Sequence, residues 1–225
     1  MRVLPILGLL LASYAASPQM STFAQASYSG SINPYYGFTE NFPWGDGDLT
    51  SRSAGIWQTN NWVRAELYVT SHIVATSTGS TCPNYCFVRW NGPGGWPPAN
   101  QSTQVTFIGI GTSFLGPAVR VDILGTQTGY AALCSTTYGS PACEIVKVVD
   151  GTYSALTSAG STITTNSLVK LTVTGTNSTV LTVYVNGSSY LTYTDTSSPI
   201  TSGTWGLGDS LTNADTSIRA FPQIV

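Results

Sequence analysis

The sequence predicts an all-β fold, an antiparallel β-sandwich of about a dozen strands in two sheets. Three observations predict it. Short runs in which apolar and polar residues alternate recur from about residue 36 to the end. Clusters of Gly, Ser, Asn and Pro separate these runs. Apolar residues never keep a helical spacing for long, and Thr, Val and Tyr dominate instead. Half-buried alternation implies antiparallel sheets, each with one packed face.

Taken in order, the chain opens like an export signal. Met1-Arg2 is a positive start and Val3 to Ala12 a short apolar core, too short to span a bilayer. Ala24-Gln25-Ala26 fits a small-residue cleavage site, with Ser13-Tyr14-Ala15 as an earlier option. The expected organisation is a signal over 1–26 and a single domain over 27–225. In the first clear strand, Trp62 to Val69, Val63, Ala65, Leu67 and Val69 share one face, and Trp62, Arg64, Glu66 and Tyr68 share the other. Asn91 to Asn100, with Trp96 inside Gly94-Gly-Trp-Pro-Pro98, reads as a long surface loop. Pro117 to Ile123 alternates again, setting Val119, Val121 and Ile123 against Arg120 and Asp122. Leu168 to Thr174 sets Val169, Leu171 and Val173 against Lys170 and Thr172. After the turn Gly175-Thr-Asn-Ser178, Leu181, Val183 and Val185 form the inward face of the next strand. Asn186-Gly187 is a strong hairpin signal, and Ser189 to Asp195 is the returning strand.

Composition narrows the function. The chain has 225 residues, enough to bury a sizeable core. Only 8% are charged, against about 25% in ordinary soluble domains. The formal net charge of −2 gives no field that would draw nucleic acid. Hydrophobic residues at 42% and aromatics at 11% argue against disorder. No other stretch reaches about 18 consecutive apolar residues, so the mature chain is expected to be soluble, without a membrane span.

Four cysteines, Cys82, Cys86, Cys134 and Cys143, suit an exported protein with two disulfides. Three connectivities are possible, and local pairing is the simplest. Cys134–Cys143 would staple a hairpin across a turn-rich segment, and Cys82–Cys86 would close a tight loop. Zinc is disfavoured, since the spacings are not C-x-x-C pairs and His72 is the only histidine.

The segment Leu168 to Gly208, with its strand, turn, strand, Asn-Gly turn, strand and Ile200-Thr-Ser-Gly-Thr-Trp-Gly-Leu-Gly208, resembles the C-terminal half of concanavalin A-like (laminin G-like) jelly rolls. Tyr36 to Phe42, Asp46-Gly-Asp-Leu49 and Gly55-Ile-Trp57 resemble the opening of exported bacterial members, and Ile145 to Gly151 fits the middle. The resemblance implies a jelly-roll sandwich. It does not choose among lectin, hydrolase, lyase and inert module, all of which use this fold.

The signs of catalysis are weak. A retaining glycosidase needs two carboxylates about 5 Å apart. Relatives of the laminarinase type carry them on one strand as Glu-x-Asp-x-Glu, and that pattern is absent here. Glu66 has no second carboxylate on its strand, although a dyad from separate strands, such as Glu66 with Asp122, stays open. Of the alginate-lyase pattern, only Arg64 near Glu66 finds a faint counterpart. No Gly-x-Ser-x-Gly elbow accompanies His72.

Binding is the favoured reading. If the strands of Trp62, Arg64, Glu66, Tyr68 and of Arg120, Asp122 adjoin, they form a polar face flanked by aromatic rings that suits sugars. Trp96 on its rigid loop is a further ligand candidate. Trp44-Gly-Asp-Gly-Asp48 offers Asp46 and Asp48 as candidate calcium ligands, with a plain turn as the alternative. Many related jelly rolls have an acid in the last strand, and this chain has Ser217-Ile-Arg-Ala-Phe221 instead. The expectation is thus a secreted or cell-surface, non-catalytic domain that binds a glycan or another cell-surface component and needs no cofactor, structural calcium at Asp46 and Asp48 being the alternative to a plain turn. A structural or adhesive protein and a polysaccharide-degrading enzyme are the alternatives.

Overall fold

The computed structural model describes Ser53 and residues 57–59, 86–91, 97–107, 114–135, 142–160 and 163–210, together with the backbone of five further strands. Those five are β1 (Phe38–Thr39), β2 (Gly47–Asp48), β4 (Leu67–Thr70), β5 (Ile73–Thr76) and β16 (Arg219–Ile224). The expected signal over 1–26 lies outside the described residues. Pro34–Val225 form one compact unit.

Among the described residues every regular element is a strand, and all sheet pairings are antiparallel. The remaining strands are β3 (Trp57–Gln58), β6 (Cys86–Trp90), β7 (Gln101–Phe107), β8 (Phe114–Asp122), β9 (Thr128–Cys134), β10 (Cys143–Val149), β11 (Thr152–Ala159), β12 (Leu168–Thr174), β13 (Thr179–Val185), β14 (Ser188–Asp195) and β15 (Thr204–Ser210). A nine-stranded sheet runs β14-β13-β12-β7-β16-β5-β4-β2, with β1 also paired to β16. A seven-stranded sheet runs β11-β10-β9-β8-β15-β6-β3. The chain is therefore the two-sheet antiparallel sandwich that the alternation predicts. Its sixteen described strands exceed a dozen because β1, β2 and β3 are two-residue pairings.

The β12–β13–β14 meander follows the sequence closely. Val169, Leu171, Val173, Leu181 and Val183 are fully buried, and Leu171 stands opposite Val183. Asn186 and Gly187 both take positive φ, 50° and 85°, the conformation a two-residue hairpin turn demands. Asp150-Gly151 does the same between β10 and β11, with φ of 50° and 75°. Cys134 and Cys143 are direct cross-strand partners in β9 and β10, and they form the expected disulfide. Cys86 is also disulfide-bonded; Cys82, its expected partner, lies outside the described residues.

The core between the sheets holds Trp57, Val88, Phe107, Leu115, Tyr130, Ile145, Leu171, Val183 and Leu207 among others. A second apolar cluster contains Phe87, Ala118, Val121, Ala131, Leu133, Val146 and Val148. Its members alternate along β6, β9 and β10 with residues of the first cluster, so these strands of the seven-stranded sheet are buried on both faces, whereas the edge strand β11 is not.

The expected alternation of Pro117 to Ile123 needs correction. Val119 enters the core between the sheets, whereas Val121 and Ile123 join the cluster on the other face. The cause is a β-bulge. The register of β8 against β9 shifts between Val119 and Asp122, and Arg120 takes φ 51°. An extra residue in one strand reverses the faces of everything beyond it.

Candidate functional site

Arg120 shows what the bulge does chemically. The sequence places it outward, beside Asp122; the structure buries it completely. Its Nε and Nη2 donate to the Ala99 carbonyl at 3.1 and 2.6 Å, and Nη1 donates to Thr179 Oγ1 at 2.9 Å. Further bonds reach the carbonyls of Ile200 and Gly175. One guanidinium thus gathers the approach to β7, the β12–β13 turn, β13 and the approach to β15. Burial lowers its pKa, opposed by the nearby Tyr130. Gly203, at φ 139°, passes so close to the Arg120 backbone that a Cβ there would clash.

A second buried polar cluster joins the sheets. Lys147 Nζ, from β10, donates to Asp195 Oδ2 at 2.7 Å and to the carbonyls of Ser197 and Ser198 at 2.8 and 2.9 Å. All three ammonium protons are thereby used. Tyr130 donates to the same Oδ2 at 2.7 Å and accepts from the Ile200 amide at 2.8 Å. Burial opposes ionisation of Asp195, but the bonds from Lys147, Tyr130 and the Ser197 amide outweigh it and lower the pKa. Burial, then the bond to Asp195, raises that of Tyr130. Both clusters have their acceptors and donors matched inside the fold, which marks them as structural.

The other sequence candidates separate. The Trp62/Arg64/Glu66 positions, Trp96 and Asp46 lie outside the described residues. Tyr68 and Asp48 are register partners in β4 and β2, and only their backbone is described. β4 belongs to the nine-stranded sheet and β8 to the seven-stranded one, so the two strands do not adjoin. Asp122 is 41% exposed and accepts from the Leu124 amide at 2.9 Å. It stands 3.9 Å from Arg89, which also donates to Gln58 at 2.9 Å and Asn91 at 3.4 Å. Arg89 was not singled out from the sequence, because nothing local announces its partners.

Two further acids bear on catalysis. Asp209 shares the inward face of β15 with Trp205 and Leu207, opposite Cys86 and Leu115. Neither carboxyl oxygen finds a hydrogen bond of good geometry, although the Ser210 amide leans toward it. Burial pushes its pKa up to about 8. Glu144, half-buried and also raised by burial, accepts from Tyr153 at 3.0 Å. Asp195 and Asp209 both turn into the interior, where a polysaccharide cannot reach. Among the described residues no group of three or more His, Cys, Asp or Glu is arranged to hold a metal ion. Among them, too, no helix is long and apolar enough to cross a membrane.

A described concavity lies on the outer face of the nine-stranded sheet. It is an open depression of about 400 Å³ lined by Gln104, Leu168, Lys170, Thr172, Tyr184 and Gly187. The register explains the grouping. Lys170 of β12 stands opposite Gln104 of β7 on one side and Tyr184 of β13 on the other. Thr172, two residues along the same face, stands between Ser102 and Thr182. The opposite face of β12 is the fully buried Val169, Leu171 and Val173. Tyr184 faces outward by the regular alternation of β13 against β12; the extra residue at the register shift beside it, Tyr190, belongs to β14. The result is an aromatic ring, an ammonium, an amide and a hydroxyl along one shallow groove.

No family model matches the chain, and no curated protein matches it. Solved structures similar to it include a carbohydrate binding module, CBM66, from Bacillus subtilis, at 16% identity over 75% of this chain and 95% of that one, with a TM-score of 0.49. A legume lectin-like domain from Entamoeba histolytica is similar at 12% identity over 84% and 95%, with a TM-score of 0.46. A native glycosidic hydrolase is similar at 6% identity over 80% and 94%, with a TM-score of 0.47. None of the three assigns a ligand to this chain; the sandwich architecture itself rests on the two sheets above.

Proposed function

We propose that this chain is an exported, non-catalytic carbohydrate-binding domain, and that the depression over β7, β12 and β13 is its sugar site. The observation that carries this reading is the row Tyr184–Lys170–Gln104, with Thr172 beside it, on one concave face where Tyr184, Lys170 and Thr172 are half-exposed and Gln104 forms the buried floor. Sugars present apolar C–H faces that an aromatic ring covers, and hydroxyls that amide, ammonium and hydroxyl groups bind in fixed directions. A shallow sheet groove of this kind accommodates a chain of rings rather than a buried small molecule. The disulfide between Cys134 and Cys143 supports an oxidising, extracellular setting.

The face carrying Trp62, Arg64, Glu66 and Tyr68, with Trp96 as a neighbour in function, belongs to the same proposal as a second contact region. β4 lies in the same sheet as the depression, three strands from β7. A glycan array tests the proposal, followed by titration of the best binder against Tyr184→Ala. Binding that weakens about tenfold, the loss of one ring-stacking contact, with thermal stability unchanged, is the expected result. An array on which the folded protein binds no glycan overturns it.

A further inference from the structure

Among the described residues that line the depression, Lys170 is the one that carries a formal charge. Lys170 is half-exposed at the centre of the row. Its neighbours across the register are Gln104 and Tyr184, and the next row holds Ser102, Thr172 and Thr182. Along β14 the corresponding positions are Ser189 and Thr192. The described ion pairs use other cations: Arg89 with Asp122, and Lys147 with Asp195. Asp195, the acid that ends β14, is buried against Lys147 on the interior side. In a chain with only 8% charged residues, an ammonium whose described neighbours are hydroxyls, an amide and a phenol is a local departure. It also lies against a low-dielectric apolar sheet, where a charge is felt more strongly than in open water.

We propose, building on the carbohydrate-binding reading, that the depression takes a glycan bearing an anionic group, a carboxylate or a sulfate, with Lys170 as its counter-charge. Tyr184 covers the sugar ring, and Gln104 and Thr172 take hydroxyls on either side of the anion. A charge-assisted hydrogen bond to the ammonium is about twice as strong as a neutral one. Charge therefore sets selectivity, while the ring contact supplies affinity common to all pyranosides.

The test is calorimetric titration of the full chain, Lys170→Met and Tyr184→Ala, with four hexasaccharides: galacturonate, sulfated galactose, galactose and glucose. The expected result is that the full chain binds at least one of the anionic probes about tenfold more tightly than the neutral ones at low salt. Added salt weakens the anionic probe selectively. Lys170→Met removes the preference, weakening the anionic probes about tenfold more than the neutral ones; Tyr184→Ala weakens every probe. Whichever anionic probe leads identifies the group as carboxylate or sulfate. Equal binding of neutral and anionic probes, untouched by Lys170→Met, overturns the anionic assignment and leaves the carbohydrate reading standing. Absence of binding to all four, in protein shown by its melting curve to be folded, overturns both.

Discussion

The Tyr130 hydroxyl of β9 donates to Oδ2 of Asp195, at the end of β14, across 2.7 Å. The two residues belong to different sheets, so this bond, with Lys147 on the same oxygen, closes one end of the sandwich through a buried carboxylate. The pKa of Asp195 is lowered in the fold. Its stabilisation is therefore present above the ordinary carboxylate range and lost as pH falls through the lowered folded value. Asp195→Asn leaves Lys147 buried without its counter-charge and is expected to cost about 3–5 kcal/mol near neutral pH. Chemical denaturation from pH 7 down to pH 2 checks this. The wild type should lose stability on acidification more steeply than the variant.

Asp209 works in the opposite sense. Its folded pKa, about 8, lies far above the unfolded carboxylate value. The stability tied to the protonated form is complete below about pH 4 and is lost progressively as pH rises to about 8. Asp209→Asn, which cannot ionise, should flatten that part of the profile. Thermal melts between pH 4 and 9 are the measurement, and parallel curves for the two proteins would contradict the buried, unpartnered carboxyl.

Arg120 should tolerate no conservative exchange. Lysine has three donors on a flexible stem and no planar fork, whereas the site offers carbonyls of Ala99, Gly175 and Ile200 and the Thr179 hydroxyl. Arg120→Lys is expected to destabilise by about 2–4 kcal/mol through unmet buried acceptors. Guanidinium unfolding checks the loss. A change under about 0.5 kcal/mol would mean that the clamp is not formed in solution.

The best-patterned strand provides an internal control. Leu171→Ala removes a fully buried side chain opposite Val183 and should cost about 2–4 kcal/mol. Lys170→Ala, one residue away on the outer face, should change stability by less than about 0.5 kcal/mol. Equal losses at the two positions would place the register one residue out.

Much of this was legible in the residues. Val169, Leu171 and Val173 alternate with polar neighbours, and Asn186-Gly187 demands a two-residue turn, so β12, β13 and β14 follow from local chemistry alone. The Cys134–Cys143 staple follows from a turn-rich segment between two strands. Arg120 was misread because a bulge is a property of the pairing, not of the bulged strand's own pattern: Pro117 to Ile123 alternates perfectly on paper. The depression was missed for a related reason. Lys170 reads as a solvated residue until the register sets it between Tyr184, across the β12–β13 hairpin, and Gln104, from a distant part of the chain. The double burial of β9 and β10 did leave a sign, in the unbroken runs Tyr130 to Cys134 and Ile145-Val146.

The sugar site is tested most directly by mapping amide chemical-shift changes of the isotopically labelled protein as an oligosaccharide is added. The account predicts that the largest changes cluster at Gln104, Lys170, Thr172 and Tyr184, and that Arg120, Lys147 and Asp195 stay unmoved. Changes centred instead on Arg89 and Asp122, on the opposite sheet, would contradict it.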